Sequence, residues 1–126
     1  MNTPDEFYYS AAHSWICLEG DIATVGITDY AQSELREIVF VELPKLGLFY
    51  KALECVSIVE SLKAPSEIDA PVDGEVIEVN KLLTSQPELL NKEPYSNGWI
   101  FKLKVSDMSQ IEDLLSSAEY NLQIGG

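Results

Sequence analysis

The chain has 126 residues, 46% of them hydrophobic, and a net charge of −13 from 21 acids against 8 bases. That length and apolar content suit a single domain spanning 1–126 with its own core, and argue against disorder. The charge disfavours nucleic acid and anionic membrane surfaces as partners, and no apolar run reaches membrane-spanning length.

Met1 to Ser10 has neither the basic-then-apolar order of a signal peptide nor the Arg-rich, acid-poor character of a transit peptide. A cytoplasmic bacterial location is therefore expected, or the mitochondrial matrix for a processed form. After the turn Glu19-Gly20-Asp21, the β-branched run Ile22 to Ile27 predicts a strand. Thr28 is placed to cap a short helix through Leu35, and a second strand follows from Ile38 to Leu43. Pro44 to Gly47 ends it. Cys55 to Glu60 and Glu75 to Val79 read as further strands, the latter entered through Asp73-Gly74.

Pro87 suits the first position of a second helix. Beyond the turn Ser96-Asn97-Gly98, the apolar residues Trp99, Phe101, Leu103 and Val105 alternate as in a half-buried strand. Ser109 and Glu112 have capping-box spacing and predict a third helix from about Ser109 to Tyr120. Its residues Met108, Ile111, Leu114, Leu115 and Ala118 would form one stripe packed on the sheet. Many short strands with few helices predict a β-sandwich or flattened barrel with peripheral helices.

Two sets of residues invite a chemical reading and do not support one. Cys17 and Cys55 have neither zinc-ligand nor redox-pair spacing, so buried free thiols are expected. His13 could serve either thiol in nucleophilic catalysis, but nothing in the spacing brings them together. The terminal Gly125-Gly126 resembles the end of ubiquitin-like sulfur carriers, whose fold the rest of the chain does not resemble; a frayed tail is expected.

The informative stretch is Val56 to Asn80. Lys63 falls near a polar turn, and Pro65 favours a break beside it. Lys63 is the only Lys or Arg between Ala52 and Asn80, a stretch that holds seven acids: Glu54, Glu60, Glu67, Asp69, Asp73, Glu75 and Glu78. A single exposed amine among carboxylates offers a modifying enzyme one unambiguous target, although a lone turn lysine is ordinarily just solvated.

Glu60-Ser61-Leu62-Lys63-Ala64 resembles the lipoylation signature of glycine cleavage H proteins, usually Glu-Ser-Val-Lys-Ala. Val25 to Gln32, Ile38 to Pro44, Pro71 to Asn80, Pro87 to Asn91, Pro94-Tyr95 and Gly98-Trp99 resemble further segments of that family in the same order. The resemblance runs from about Tyr9 to Tyr120. Lipoyl domains of 2-oxoacid dehydrogenases usually carry Asp-Lys-Ala, and biotin carriers flank the lysine with methionines, so Leu62 and Ala64 disfavour both.

What the resemblance implies is a mainly β hybrid barrel-sandwich, as in lipoyl and biotinyl carriers, with short peripheral helices and a C-terminal helix. It implies a non-catalytic carrier, expected to be a monomer, with lipoate in amide linkage to Lys63 and Glu60, Ser61 and Ala64 as the motif around it. The arm would take an aminomethyl group from glycine decarboxylase and deliver it to aminomethyltransferase. Dihydrolipoyl dehydrogenase would reoxidise it, and a lipoate ligase or lipoyl transferase would install it. The alternative is an H-like lipoate-binding protein of another pathway: sulfur oxidation with a heterodisulfide-reductase-like complex, or lipoyl relay to other enzymes. An interaction domain whose lysine is never modified is the reading from a different class.

Three positions depart from the family pattern. Ser14 replaces a usual Glu between His13 and Trp15, Glu34 stands where many members have His, and Arg36 replaces a usual Gly. The family's residues at the first two sites, with an acid corresponding to Glu67, line the cleft that shelters the arm. Ser14, Glu34 and Glu67 are accordingly the cleft candidates of this chain.

Overall fold

The computed structural model describes residues 2–125; Gly126, half of the terminal glycine pair, lies outside them. Among the described residues nine strands form two antiparallel sheets. The larger runs in the order β1 (Tyr8–Tyr9), β2 (Ser14–Glu19), β3 (Ile22–Ile27), β9 (Phe101–Val105), β8 (Gly74–Val79), β5 (Phe49–Tyr50). The smaller places β6 (Cys55–Ser61) between β4 (Ile38–Glu42) and β7 (Pro65–Asp69). The sheets share one core, to which Val25, Val76 and Leu103 come from the first and Val41, Val59 and Ile68 from the second. This is the barrel-sandwich arrangement, with neither sheet closed on itself.

A second apolar cluster of Tyr9, Trp15 and Tyr120 stands apart from that core. Tyr9 stacks on Tyr120 at 4.9 Å and Phe7 on Trp15 at 4.8 Å. The Trp15 indole N–H donates to the Pro94 carbonyl at 2.7 Å. Its ring lies over Gly26, its partner across the β2–β3 ladder, where a Cβ would meet the indole nitrogen at 2.6 Å. Only glycine admits that approach.

Helix α1 (Asp29–Leu35) begins as its sequence predicts: the Thr28 hydroxyl accepts from the Ala31 amide at 3.1 Å. It ends at Arg36, whose φ of 71° and ψ of −152° belong to a region that is nearly glycine's alone. Asn91, within α3 (Leu89–Lys92), clamps the junction that follows. Its amide group donates to Gln32 and to the Arg36 carbonyl, and its oxygen accepts from the Ile38 amide at 2.9 Å. Pro87 lies two residues ahead of α3, and the separate turn α2 (Leu82–Ser85) has no counterpart in the sequence reading.

The third predicted helix is instead two elements. A 3₁₀ turn spans Met108–Asp113, Leu114 is extended, and α4 covers Ser117–Gln123. The break has a cause. Leu115 exchanges both backbone hydrogen bonds with Tyr9, at 2.9 and 2.7 Å, so this residue joins a sheet edge and cannot stay helical. The capping box is Ser116 with Glu119, not Ser109 with Glu112; the Ser109 amide and hydroxyl both turn to Asp107. With the helix divided, the single stripe dissolves: Ile111 is buried while Met108 and Ala118 are exposed. The cysteines are free, as expected, but neither is buried; Cys55 is exposed and Cys17 half-buried.

Candidate functional site

Strands β6 and β7 form a hairpin that pairs Glu60 with Pro65 and Val59 with Ser66. Pro65 opens β7, a position where its missing N–H costs the ladder nothing. Leu62, Lys63 and Ala64 make the connection. The Ser61 hydroxyl shapes it, accepting from the Lys63 and Ala64 amides at 3.2 Å each and donating to the Ala64 carbonyl at 3.0 Å. The Leu62 amide donates to the Glu37 carbonyl at 3.0 Å and ties the tip to the chain between α1 and β4.

Lys63 is exposed on this tip. Its ammonium donates to the backbone carbonyl of Glu34 at 3.3 Å. The many acids around it in sequence do not become partners: among the described residues the one ion pair joins Lys102 and Glu78, at 3.6 Å. Glu60 belongs to the strand leading to the tip and is exposed.

Beside Lys63 opens a cleft of about 240 Å³. Ile27, Ala31, Leu35 and Ile68 give it apolar walls; its polar lining is His13, Tyr30, Glu34, Ser66 and Glu67. Glu34 therefore serves both places, lining the cleft with its side chain and meeting the Lys63 amine with its carbonyl. Tyr30 and Glu34, one helical turn apart on α1, face each other; hydrogen bonding to the Glu34 carboxylate, then its charge, raises the Tyr30 pKa. Burial lowers the His13 pKa despite the opposing pull of Glu34. The acidic side chains of the lining are Glu34 and Glu67. Such a lining can attract a small cation.

Of the cleft candidates, Glu34 and Glu67 come together there and Ser14 does not. Ser14 opens β2, 3% exposed, with its amide held by the Ser10 hydroxyl. Its cross-strand partner is Ile27, which does line the cleft. Serine is too short to follow it there; a longer side chain at this position would run along the same face. The residue that does reach the cleft is His13, one position earlier, in a left-handed turn with φ of 70°.

His13 and Tyr30 are what sequence reasoning missed. His13 stood out only as a catalytic candidate, and neither Cys17 nor Cys55 lines the cleft with it. Tyr30 and Glu34 share a helix face at i, i+4, a signal available in the sequence. Among the described residues no cluster of His, Cys, Asp or Glu is suited to a metal ion, and no helix is long and apolar enough to cross a membrane.

Comparison with known proteins agrees with the fold. The glycine cleavage H-protein family model matches residues 7–124. A glycine cleavage system H protein of Halothermothrix orenii is 49% identical over 120 residues, covering 95% of this chain and 94% of that protein. One from Thermus thermophilus is 48% identical over 120 residues, with the same coverage of 95% and 94%. The crystal structure of a glycine cleavage system H protein from Mycobacterium marinum superposes with a TM-score of 0.90 at 34% identity, covering 98% of this chain and 100% of that one.

Proposed function

This chain belongs to the glycine cleavage H-protein family, the lipoyl carriers of glycine cleavage, and we propose that Lys63 bears the arm. One observation carries the proposal: the exposed Lys63 amine projects from a hairpin tip and meets the Glu34 carbonyl at the rim of a cleft lined by two carboxylates. Acylation removes the charge of this amine but leaves an N–H, which is all that the bond to the Glu34 carbonyl needs. The residues present therefore fit the group.

When bound, the lipoyl group supplies the dithiol on which an aminomethyl unit travels from glycine decarboxylase to aminomethyltransferase, with dihydrolipoyl dehydrogenase restoring the disulfide. The chain's own contribution is presentation and shelter. Ser61 holds the turn so that Lys63 projects. Glu34 and Glu67 attract the carried amine as a cation, and the apolar walls limit water around it. The chain acts as a carrier and leaves catalysis to the enzymes it visits. Tethering replaces diffusion of a labile intermediate by a high local concentration.

Intact-mass and peptide mass spectrometry after co-expression with a lipoate ligase test the assignment. Lipoate on Lys63 and on no other lysine is expected. Modification of Lys51 or Lys81, or an unmodified chain beside an active ligase, overturns it.

A further inference from the structure

Behind the cleft, a short hydrogen-bond chain constrains where a proton can sit. His13, the single histidine of the protein, packs its ring against Tyr30 at 4.9 Å. Its Nδ1 lies 2.8 Å from the Tyr120 hydroxyl of α4. That hydroxyl lies 2.7 Å from the Thr28 hydroxyl, which already accepts the Ala31 amide of α1. Thr28 and Tyr120 are fully buried, so water does not stand in for a lost partner. Among the described residues, neither hydroxyl has another acceptor within reach.

The protons can be counted. Two links join the groups, Thr28 to Tyr120 and Tyr120 to His13, and each link takes one proton. The two hydroxyls supply two. With Nδ1 bare, Thr28 donates to Tyr120 and Tyr120 donates to Nδ1, and every proton is used. A proton on Nδ1 makes three for two links and leaves a buried hydroxyl proton without an acceptor, whichever way the chain is turned. The imidazolium, protonated on both nitrogens, meets the same obstacle.

We infer that Tyr120, backed by Thr28, holds His13 as the neutral imidazole with its proton on Nε2, so that the cleft beside Lys63 carries no positive charge of its own. The titratable groups around the ring are Tyr30 and Glu34 from α1 and Tyr120 from α4, with Glu67 of β7 lining the same cleft. Glu34 favours an imidazolium; burial of the ring and the proton count oppose it, and they win. An imidazolium here would offset one of the two carboxylates that attract the carried amine. Tyr120 does not line the cleft and acts through His13, which makes it a positioning residue. The consequence for the amine rests on the carrier reading above; the tautomer does not.

A single histidine makes the test unambiguous: long-range proton–nitrogen correlation NMR of the 15N-labelled protein. The wild type is expected to show an acceptor-type Nδ1, a proton on Nε2, and a titration midpoint below 6.5. Tyr120→Phe keeps the ring stacked on Tyr9 and removes both links. It should give mixed tautomers and raise the midpoint by about one pH unit. Thr28→Val leaves one proton for the one remaining link and should keep the Nε2–H form, which separates proton counting from general loosening. An Nδ1–H form in the wild type, or a midpoint that Tyr120→Phe leaves unmoved, overturns the inference. Release of the carried amine from loaded, lipoylated protein should accelerate as pH falls through the His13 midpoint, and that midpoint should shift in Tyr120→Phe. The correct tautomer without this pH response would overturn the role of the cleft and leave the hydrogen-bond assignment standing.

Discussion

The hairpin tip and the cleft beside it are built in opposite ways. The tip is local: residues 60–65 supply the strand end, the serine that forms the turn, the lysine and the proline that restarts the ladder. The cleft is assembled from segments around residues 13, 27–35 and 66–68, joined by a capping threonine and closed from behind by Tyr120 near the C-terminus. One is an exposed amine whose environment is mostly water. The other sets two exposed carboxylates, Glu34 and Glu67, against the buried Ile27 and Ile68, with His13 half-buried behind them. A carrier needs both: a freely presented attachment point and a fixed shelter next to it.

The largest effect separating the two regions should come from Lys63→Arg. Arginine keeps a cation at the exposed tip but offers no amine that can be acylated. Carrier activity should vanish in a reconstituted glycine cleavage assay while the melting temperature holds, since exposed substitutions usually change stability by no more than about 0.5 kcal/mol. A large drop in melting temperature would give Lys63 a structural role and erase the contrast.

The cleft should respond in the reverse sense. Glu34→Gln with Glu67→Gln preserves shape and removes the charge that attracts a cation. Lipoylation of Lys63 should proceed normally, whereas the loaded arm should lose its amine faster. At about 1 kcal/mol for each charge-assisted contact, the combined change is on the order of tenfold or more. Ammonia or formaldehyde release after loading by glycine decarboxylase measures it. An unchanged rate would mean that the arm does not use this cleft.

Arg36→Gly probes the junction that carries both regions, because Arg36 links α1 to the segment against which the tip is pinned. An arginine at φ 71° and ψ −152° is strained, and glycine is not. After allowance for the greater freedom of glycine in the unfolded chain, a gain of about 1 kcal/mol is expected. That corresponds to roughly 4 °C in melting temperature, read by calorimetry.

The pH dependence of stability gives a smaller signal. The folded pKa of His13 is depressed below 6.5 by burial, so the unfolded chain binds this proton more readily. Its contribution is complete above 6.5 and is lost as pH falls from there through the folded value. Thermal melts should show that decline as pH falls below 6.5, and Tyr120→Phe should shallow it. The smallest expected change is in Ser14→Glu. A carboxylate extended along the face of Ile27 should lengthen the lifetime of the carried amine, with an unaltered lifetime meaning that Glu34 and Glu67 suffice.

The sequence by itself determined the hairpin tip and its exposed lysine, because every group that shapes them lies within a few residues: the serine, lysine and proline of one turn. It also determined the central strands and the capped start of α1, where alternation and a threonine cap are local signals. Tertiary structure decided the rest. Leu115 leaves its helical pattern because Tyr9, far away in sequence, offers a strand edge with two unpaired backbone groups. Ser14, expected in the cleft by position, falls short of it, while His13 enters through a left-handed turn that no local pattern announces. The protonation of His13 depends on a tyrosine brought against it from near the other end of the chain. Hydrogen-bond accounting in a buried site is global, and only the folded molecule holds all of its terms.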